Sequence, residues 1–344
     1  MKSQIWTRHT IENFILAISS LVFIASTAGS IFYSQELSKN FSHLQKDKII
    51  VDIPIGASFD RITNILLESG VLRSTLFFST VSYFNKVTDK MQAGEYEINQ
   101  ESSTRSLVRD LTLGNVRTLT VTLIEGWTFE EALSTIRSSE GVIKSDVNVS
   151  ERDLGIGIKD LLTSKEGMLF PDTYQYTVGT FDHEIVSRAN ERLKAILALE
   201  WETRNDDLPW ETSYDSLVVA SIIEKESGLI NEKAKIAGVF ARRIKAGMRL
   251  QSDPTVIYGL GDEYDGSLTR ADLRRDTIYN SYTRGGLPPS PIALAGKASI
   301  RAALQPASGE SLYFVADGSG GHVFTNTLGD HNREVRKYRA MKAR

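Results

Sequence analysis

Apolar positions recur along the chain with three distinct spacings. The first is unbroken: "FILAISSLVFIASTAGSIFY", residues 14–33, runs for 20 residues without a charge, long enough for a helix to cross a bilayer. The second is a short strand-like run followed by helical spacing. Residues 49–72, "IIVDIPIGASFDRITNILLESGVL", predict a strand, a turn at Pro54–Gly56 and a helix, with Ser58 as N-cap and Gly70 as its stop. Residues 119–143 repeat this plan. Gly126 stands where Gly56 does, Phe129 where Phe59 does, and both helices close on Gly-Val before an aliphatic residue. Two weak copies are too few for a solenoid. Between them "GEYEI" (94–98) predicts a strand and residues 104–113 a helix. Modules of this kind serve either as spacers or as binders of an extended ligand.

The third spacing is helical and dominates the C-terminal half. An aromatic stretch with a Pro-Asp turn, residues 166–176, precedes a helix from about residue 182 to 199. "SYDSLVVASIIEKESG" (213–228) predicts a helix capped by Ser213 or Asp215 and ended at Gly228. "NEKAKIAGVFARRIKAG" (231–247) predicts another, with Ile236, Val239, Phe240 and Ile244 on one stripe. Residues 248–261 and 279–291 read as loops, "DGSGGH" (317–322) as a hairpin turn, and the basic tail 333–344 as a solvated helix. The expected class is α+β. The expected layout is a head (1–13), a transmembrane helix (14–33), a polar tether (34–48), an α+β region (49–150) and a C-terminal α+β domain (151–344).

Two glutamates lie one residue apart near the end of the helix over 213–228. Relative to Glu226, a turn of about 100° per residue puts Val219 at roughly 20°, Ile222 at roughly −40° and Ile223 at roughly 60°. Glu226 therefore points along the apolar stripe. Glu224 falls at roughly 160°, beside Ser221 and Lys225, and reads as a solvated surface residue. A carboxyl on an apolar face is desolvated, which raises its pKa and suits it to act as a general acid. Spacing alone also allows a structural glutamate, held by Arg242, Arg243 or Arg249 or emerging at the helix end that Gly228 stops.

Composition narrows the partners. With 40 basic and 43 acidic side chains, nothing suggests a nucleic acid. The chain has no cysteine, so disulfides and thiolate metal sites are excluded. Lys2 and Arg8 against Glu12 give the segment before the apolar run a positive bias. The head is then expected in the cytoplasm and the remainder outside it. A cleaved signal peptide with its site near Ala28 is the alternative. The apolar continuation through Ile31–Tyr33 favours an uncleaved anchor.

Several long motifs lie in series: "ASIIEKES", "AGVFARRIKAGMRLQSDPTVIYGLG", "LTRADL", "YNSYTRGGLPPSPIALAG" and "ALQPASGESLYFVADGSGGHVFT". With "HNREVRKYR", "EGMLFPDTY", "AGEYEI" and "LIEGWTFEE", the chain resembles the YceG-like (MltG) family of endolytic murein transglycosylases over nearly its whole length. The resemblance implies an N-terminal anchor, a LysM-like module and a catalytic domain. Its catalytic acid is the glutamate immediately before Ser or Thr, which is Glu226 here. It implies cleavage of MurNAc-β-1,4-GlcNAc bonds inside peptidoglycan strands, with 1,6-anhydro ends as product and neither metal nor cofactor. His322 and His331 show no ligand spacing. Gln251, Asp253, Tyr258, Asn280 and Tyr282 are the residues expected to bond or stack on sugars. Asp253, the only nearby carboxylate for a helping role, stands before a proline and reads first as a turn former. The implied location is the cytoplasmic (inner) membrane, single-pass with the catalytic domain in the periplasmic or extracytoplasmic space. Wall-synthesis or division proteins are the implied partners. A hydrolytic muramidase, leaving reducing ends, and a non-catalytic wall-binding scaffold are the rival readings.

Overall fold

Strand alternation and helix caps build the first half of the structure, a computed structural model that describes residues 8–145 and 164–342. The chain divides into two compact units, Met1–Thr118 and Leu119–Arg344. The division expected at 150/151 lies outside the described residues, as does residues 1–7 of the head.

The first unit opens with α1 (Arg8–Leu37), whose apolar stretch is exposed. It continues through β1 (Lys48–Ile53), α2 (Phe59–Glu68), α3 (Thr75–Phe84), β2 (Gly94–Asn99) and α4 (Thr104–Leu113). β1 and β2 pair antiparallel from Lys48↔Asn99 to Ile53↔Gly94. The pleat sends Val51, Ile53, Tyr96 and Ile98 to one face, onto Ile62, Leu66, Phe78, Leu107 and Leu111. Ser58 caps α2 as expected, accepting from the Arg61 N–H. Residues 34–48 are not a polar tether. Leu37, Phe41 and Leu44 are buried in this core, and the Phe41 N–H donates to the Ser102 carbonyl at 2.8 Å. Each such burial favours packing by about 1.5–3 kcal/mol, which outweighs the surrounding polar residues.

The second unit holds β3 (Thr118–Thr122), α5 (Phe129–Ser138), β4 (Thr173–Thr177), α6 (Asp182–Glu202), α7 (Ser213–Glu226) and α8 (Ile230–Lys245). It is completed by α9 (Asp253–Leu260), α10 (Lys297–Leu304), β5 (Tyr313–Ala316), β6 (His322–Thr325) and α11 (Leu328–Lys342). β3 pairs with β4, and β5 with β6 as an antiparallel hairpin around "DGSGG". One core lies among β3, α5, β4 and α6, through Val121, Leu133, Tyr174 and Ile185. A larger one joins α7, α8 and α10 through Val219, Ile222, Ile236, Phe240 and Ile300. The repeat predicted from sequence is visible in the backbone. Gly56 and Gly126 adopt φ of 77° and 81°, the left-handed turn that glycine makes without a side-chain clash.

Two expectations are corrected here. The N-cap of α7 is Thr212, which accepts from the Asp215 N–H while Asp215 reaches back; Ser213 is already helical. Residues 248–261 are not all loop, since α9 occupies their second half. Pro254 sits in its first turn, where a missing N–H leaves no helix bond unmade.

Candidate active site

Glu226 is the last residue of α7, a helix whose positions Ser216 to Ile223 are all buried. Ser227 follows as C-cap in extended conformation, its N–H donating to the Ile223 carbonyl. The carboxyl group is thereby aimed off the end of a core helix into a turn built by residues 249–253. Gln251 in that turn has φ of 51°, a left-handed value that a side chain disfavours. The neighbouring loop holds it there. The Gln251 N–H donates to the Ser281 carbonyl at 3.1 Å, and the Ser252 N–H to Ser281 Oγ at 2.9 Å. Arg243, buried on α8, donates to the Leu250 carbonyl at 2.6 Å and to the Leu312 carbonyl at 2.6 Å, tying the turn to the β5–β6 hairpin. The product of this bracing is one contact: Ser252 Oγ donates to Glu226 Oε1 at 2.5 Å.

Burial pushes the Glu226 carboxyl up to about 7, against the Ser252 hydrogen bond, which favours the charged form. The Asp253 charge adds to the rise; His322 and Arg243 oppose it. Asp253 is the first residue of α9, and its Oδ1 accepts from Tyr282 Oη at 2.5 Å. Burial, then this bond to Asp253, raises the Tyr282 hydroxyl. Beneath the site, His322 Nδ1 lies 2.7 Å from Glu232 Oε2, which also accepts from Ser227 Oγ.

The residues singled out from sequence fall into two groups. Gln251, Asp253 and Tyr282 are brought to the Glu226 turn. Tyr258 points elsewhere, donating to Glu166 Oε2 at 3.3 Å and packing edge-on against Tyr279 at 4.7 Å. Asn280 has no exposed surface. Its Nδ2 donates to the carbonyls of Asp272, Leu273 and Arg275, and its Oδ1 accepts from the Tyr282 N–H, so it braces the loop from within.

Glu224 is a correction. It is not a solvated surface residue: its side chain is 6% exposed and pairs at 2.6 Å with Lys233 Nζ, itself 3% exposed. Lys233 also donates to Ser299 Oγ, and Glu224 Oε2 accepts from the Gly296 N–H. The helix wheel assumes one solvated side, but α7 is covered on both; on the supposed outer face Ser221 Oγ accepts from the Ile292 N–H. Two polar residues at or near these contacts escaped the sequence reading. Ser252 lies between two singled-out residues and carries no periodic signal of its own. Glu166 is buried, accepts from the N–H groups of Phe129 and Gly167, and is raised by that burial.

The model of the YceG-like family matches residues 51–337. The chain is 30% identical over 333 residues to the endolytic murein transglycosylase of Bacillus subtilis (strain 168), covering 91% of each protein. It is 26% identical to the protein of the same name from Streptococcus pneumoniae (strain ATCC BAA-255 / R6), over 93% of this chain and 64% of that one. The crystal structure of a YceG-like protein from Listeria monocytogenes superposes with a TM-score of 0.53 at 29% identity, covering 84% of this chain and 99% of the other.

Proposed function

The chain belongs to the YceG-like family, and from that premise we propose that it is an endolytic lytic transglycosylase of peptidoglycan with Glu226 as its acid and base. The observation that carries this is the desolvated Glu226 carboxyl, raised to about 7 at the end of a core helix and held by Ser252. A carboxyl with that pKa is protonated often enough near neutral pH to give a proton to a poor leaving group, and charged often enough to take one back.

In the proposed reaction Glu226 protonates the 4-oxygen of the leaving GlcNAc as the glycosidic bond to MurNAc C1 breaks. The MurNAc 6-hydroxyl attacks C1 and gives its proton to the Glu226 carboxylate. The product is a 1,6-anhydro end, no water is consumed, and Glu226 regains its starting state. The attacking hydroxyl is tethered to the reacting ring, so proximity supplies part of what a second carboxylate supplies in hydrolytic glycosidases. Gln251, Asp253 and Tyr282 border the same turn and are proposed to contact the sugars. The Tyr282 bond to Asp253 supports a positioning role for Asp253.

Residues 14–33 are proposed to span the cytoplasmic membrane once, with the head inside and the second unit outside. The exposed stretch of α1 over residues 14–33, which carries no charge, supports this. The LysM-like module, expected over 49–150, is proposed for the part of that range inside the first unit, which has two helices between its paired strands and would position a strand. The test is digestion of purified glycan strands followed by mass spectrometry. Wild type should yield 1,6-anhydro ends, and Glu226→Gln should slow cleavage by about 10²–10⁴-fold. Reducing MurNAc ends would instead establish a hydrolytic muramidase; undiminished cleavage by the variant would remove Glu226 as the acid.

A further inference from the structure

The first unit carries an apolar surface that its own core leaves uncovered. α3, "TLFFSTVSYF", has no charged residue in 10 positions. One face packs inward through Phe78 and Val81, yet Tyr83 and Phe84 at its last turn are 62% and 78% exposed. Leu113, the last residue of α4, is 62% exposed. A short uncharged helix that leaves aromatic side chains exposed belongs either in a core or at a membrane interface. Half of α3 is in a core.

The position of α1 decides what covers the other half. A groove of about 410 Å³ is lined by Tyr33 and Leu37 of α1, by Val81, Asn85 and Val87 at the end of α3, and by Arg105, Arg109 and Leu113 of α4. A second groove begins at Glu36, at the end of α1, continues past it to Phe41, and meets the start of α3 at Ser74 and Phe77. α3 therefore runs back along the end of α1, with Phe77 edge-on to Tyr33 at 6.1 Å. Its last turn continues toward the apolar segment, where Tyr83 rests edge-on against Phe59 and Phe84 stays exposed. The apolar run ends at Tyr33, and Leu37 lies one turn beyond it, about 6 Å along the axis. Leu37, Phe41 and Leu44 are packed into the unit, so no flexible linker separates it from that helix. Aromatic side chains concentrate at the headgroup level of bilayers, and arginine stems lie along apolar surface while their heads meet phosphate. Arg105 and Arg109 lie one helical turn apart on the groove wall; Arg109 also pairs with Asp110 at 3.0 Å.

We propose that the first unit is seated on the phospholipid surface through Tyr83, Phe84 and Leu113, with Arg105 and Arg109 at the level of the lipid phosphates. The inference rests on the reading that residues 14–33 span that same bilayer. It goes beyond anchoring, since it makes the unit a fixed foot on the membrane instead of a freely tethered body.

The chain has no cysteine, so single nitroxide labels are unambiguous. Full-length protein carrying F84C, E68C or F23C would be reconstituted in phosphatidylethanolamine–phosphatidylglycerol vesicles. Each label is then read for collision with oxygen, which partitions into lipid, and with a nickel chelate, which stays in water. Position 23, mid-way along the apolar run, should give the highest oxygen-to-chelate ratio, and position 84 a lower one that is still several-fold above that at position 68, an exposed residue at the end of α2. A ratio at 84 equal to that at 68 overturns the proposal. So does shielding of 84 from both quenchers with spin coupling between labels, which would mean that a second copy covers the face. A lipid signal at 23 with water at 84 refutes the docking and leaves the anchor. A lipid signal at 84 with water at 23 refutes the anchor and leaves the docking.

Discussion

Glu226 holds its proton more tightly in the folded chain than in the unfolded one, because folding removes its water. Its folded value is raised from 4.5 to about 7, so this residue weakens the fold as pH climbs through that window. Below it both states are protonated and nothing is lost; above it the full penalty applies. Glutamine cannot titrate. The Tm of Glu226→Gln should therefore match wild type near pH 4 and exceed it increasingly toward pH 8, in thermal melts that need no substrate. Ser252→Ala removes the donor that favours the carboxylate. The alkaline limb of kcat/KM should then move upward by about one pH unit, equivalent to about 1.4 kcal/mol, with kcat reduced. Ser252→Thr, which keeps the hydroxyl, should restore the limb. An unmoved limb in Ser252→Ala would make the 2.5 Å contact incidental to the titration. The wheel found Glu226 because one carboxyl on an apolar stripe is legible from spacing. It could not find Ser252, whose place depends on a left-handed Gln251 and a loop some thirty residues later.

At the scale of elements, α7 is held by what crosses it. The Glu224–Lys233 pair joins α7 to α8, and Ser299 and Gly296 join both to α10 and its approach. Two charges buried together tolerate each other; one alone does not. Lys233→Met should destabilise the second unit by about 3–5 kcal/mol, measured by denaturant melts. Glu224→Met with Lys233→Met should recover most of that loss. A single variant as stable as wild type would mean that water reaches the pair. Local signals were readable where the chemistry is local, as with the Ser58 cap and the bounds of the helix over 104–113. They were misread at α7, where Ser213, Asp215 and Thr212 are all competent caps and only the chain's entry path selects Thr212. α9 was hidden because Asp-Pro and Tyr-Gly look like turn chemistry, while Thr255, Val256 and Leu260 are drawn into helix by burial against the core.

Over the whole molecule, each hydrophobic core is contained within one unit: Leu107, Leu111 and Phe78 in the first, and the α7–α8–α10 and α5–α6 clusters in the second. Leu111→Ala removes a fully buried side chain and should cost about 2–5 kcal/mol. Calorimetry should show the first unit's transition lowered while that of the second stays in place. A common shift of both would mean that the units unfold together.

The sequence by itself determined the membrane-length helix, the repeated strand–turn–helix plan, the inward direction of Glu226 and the family motifs. Those features reside in spacing and composition within a few turns of chain. Tertiary structure alone decided that 34–48 packs rather than tethers, that Glu224 is interior, that Asn280 is a brace, and that Ser252 meets Glu226. Each depends on which segments, dozens of residues apart, exclude water from the same place, and desolvation is a property of the assembled neighbourhood.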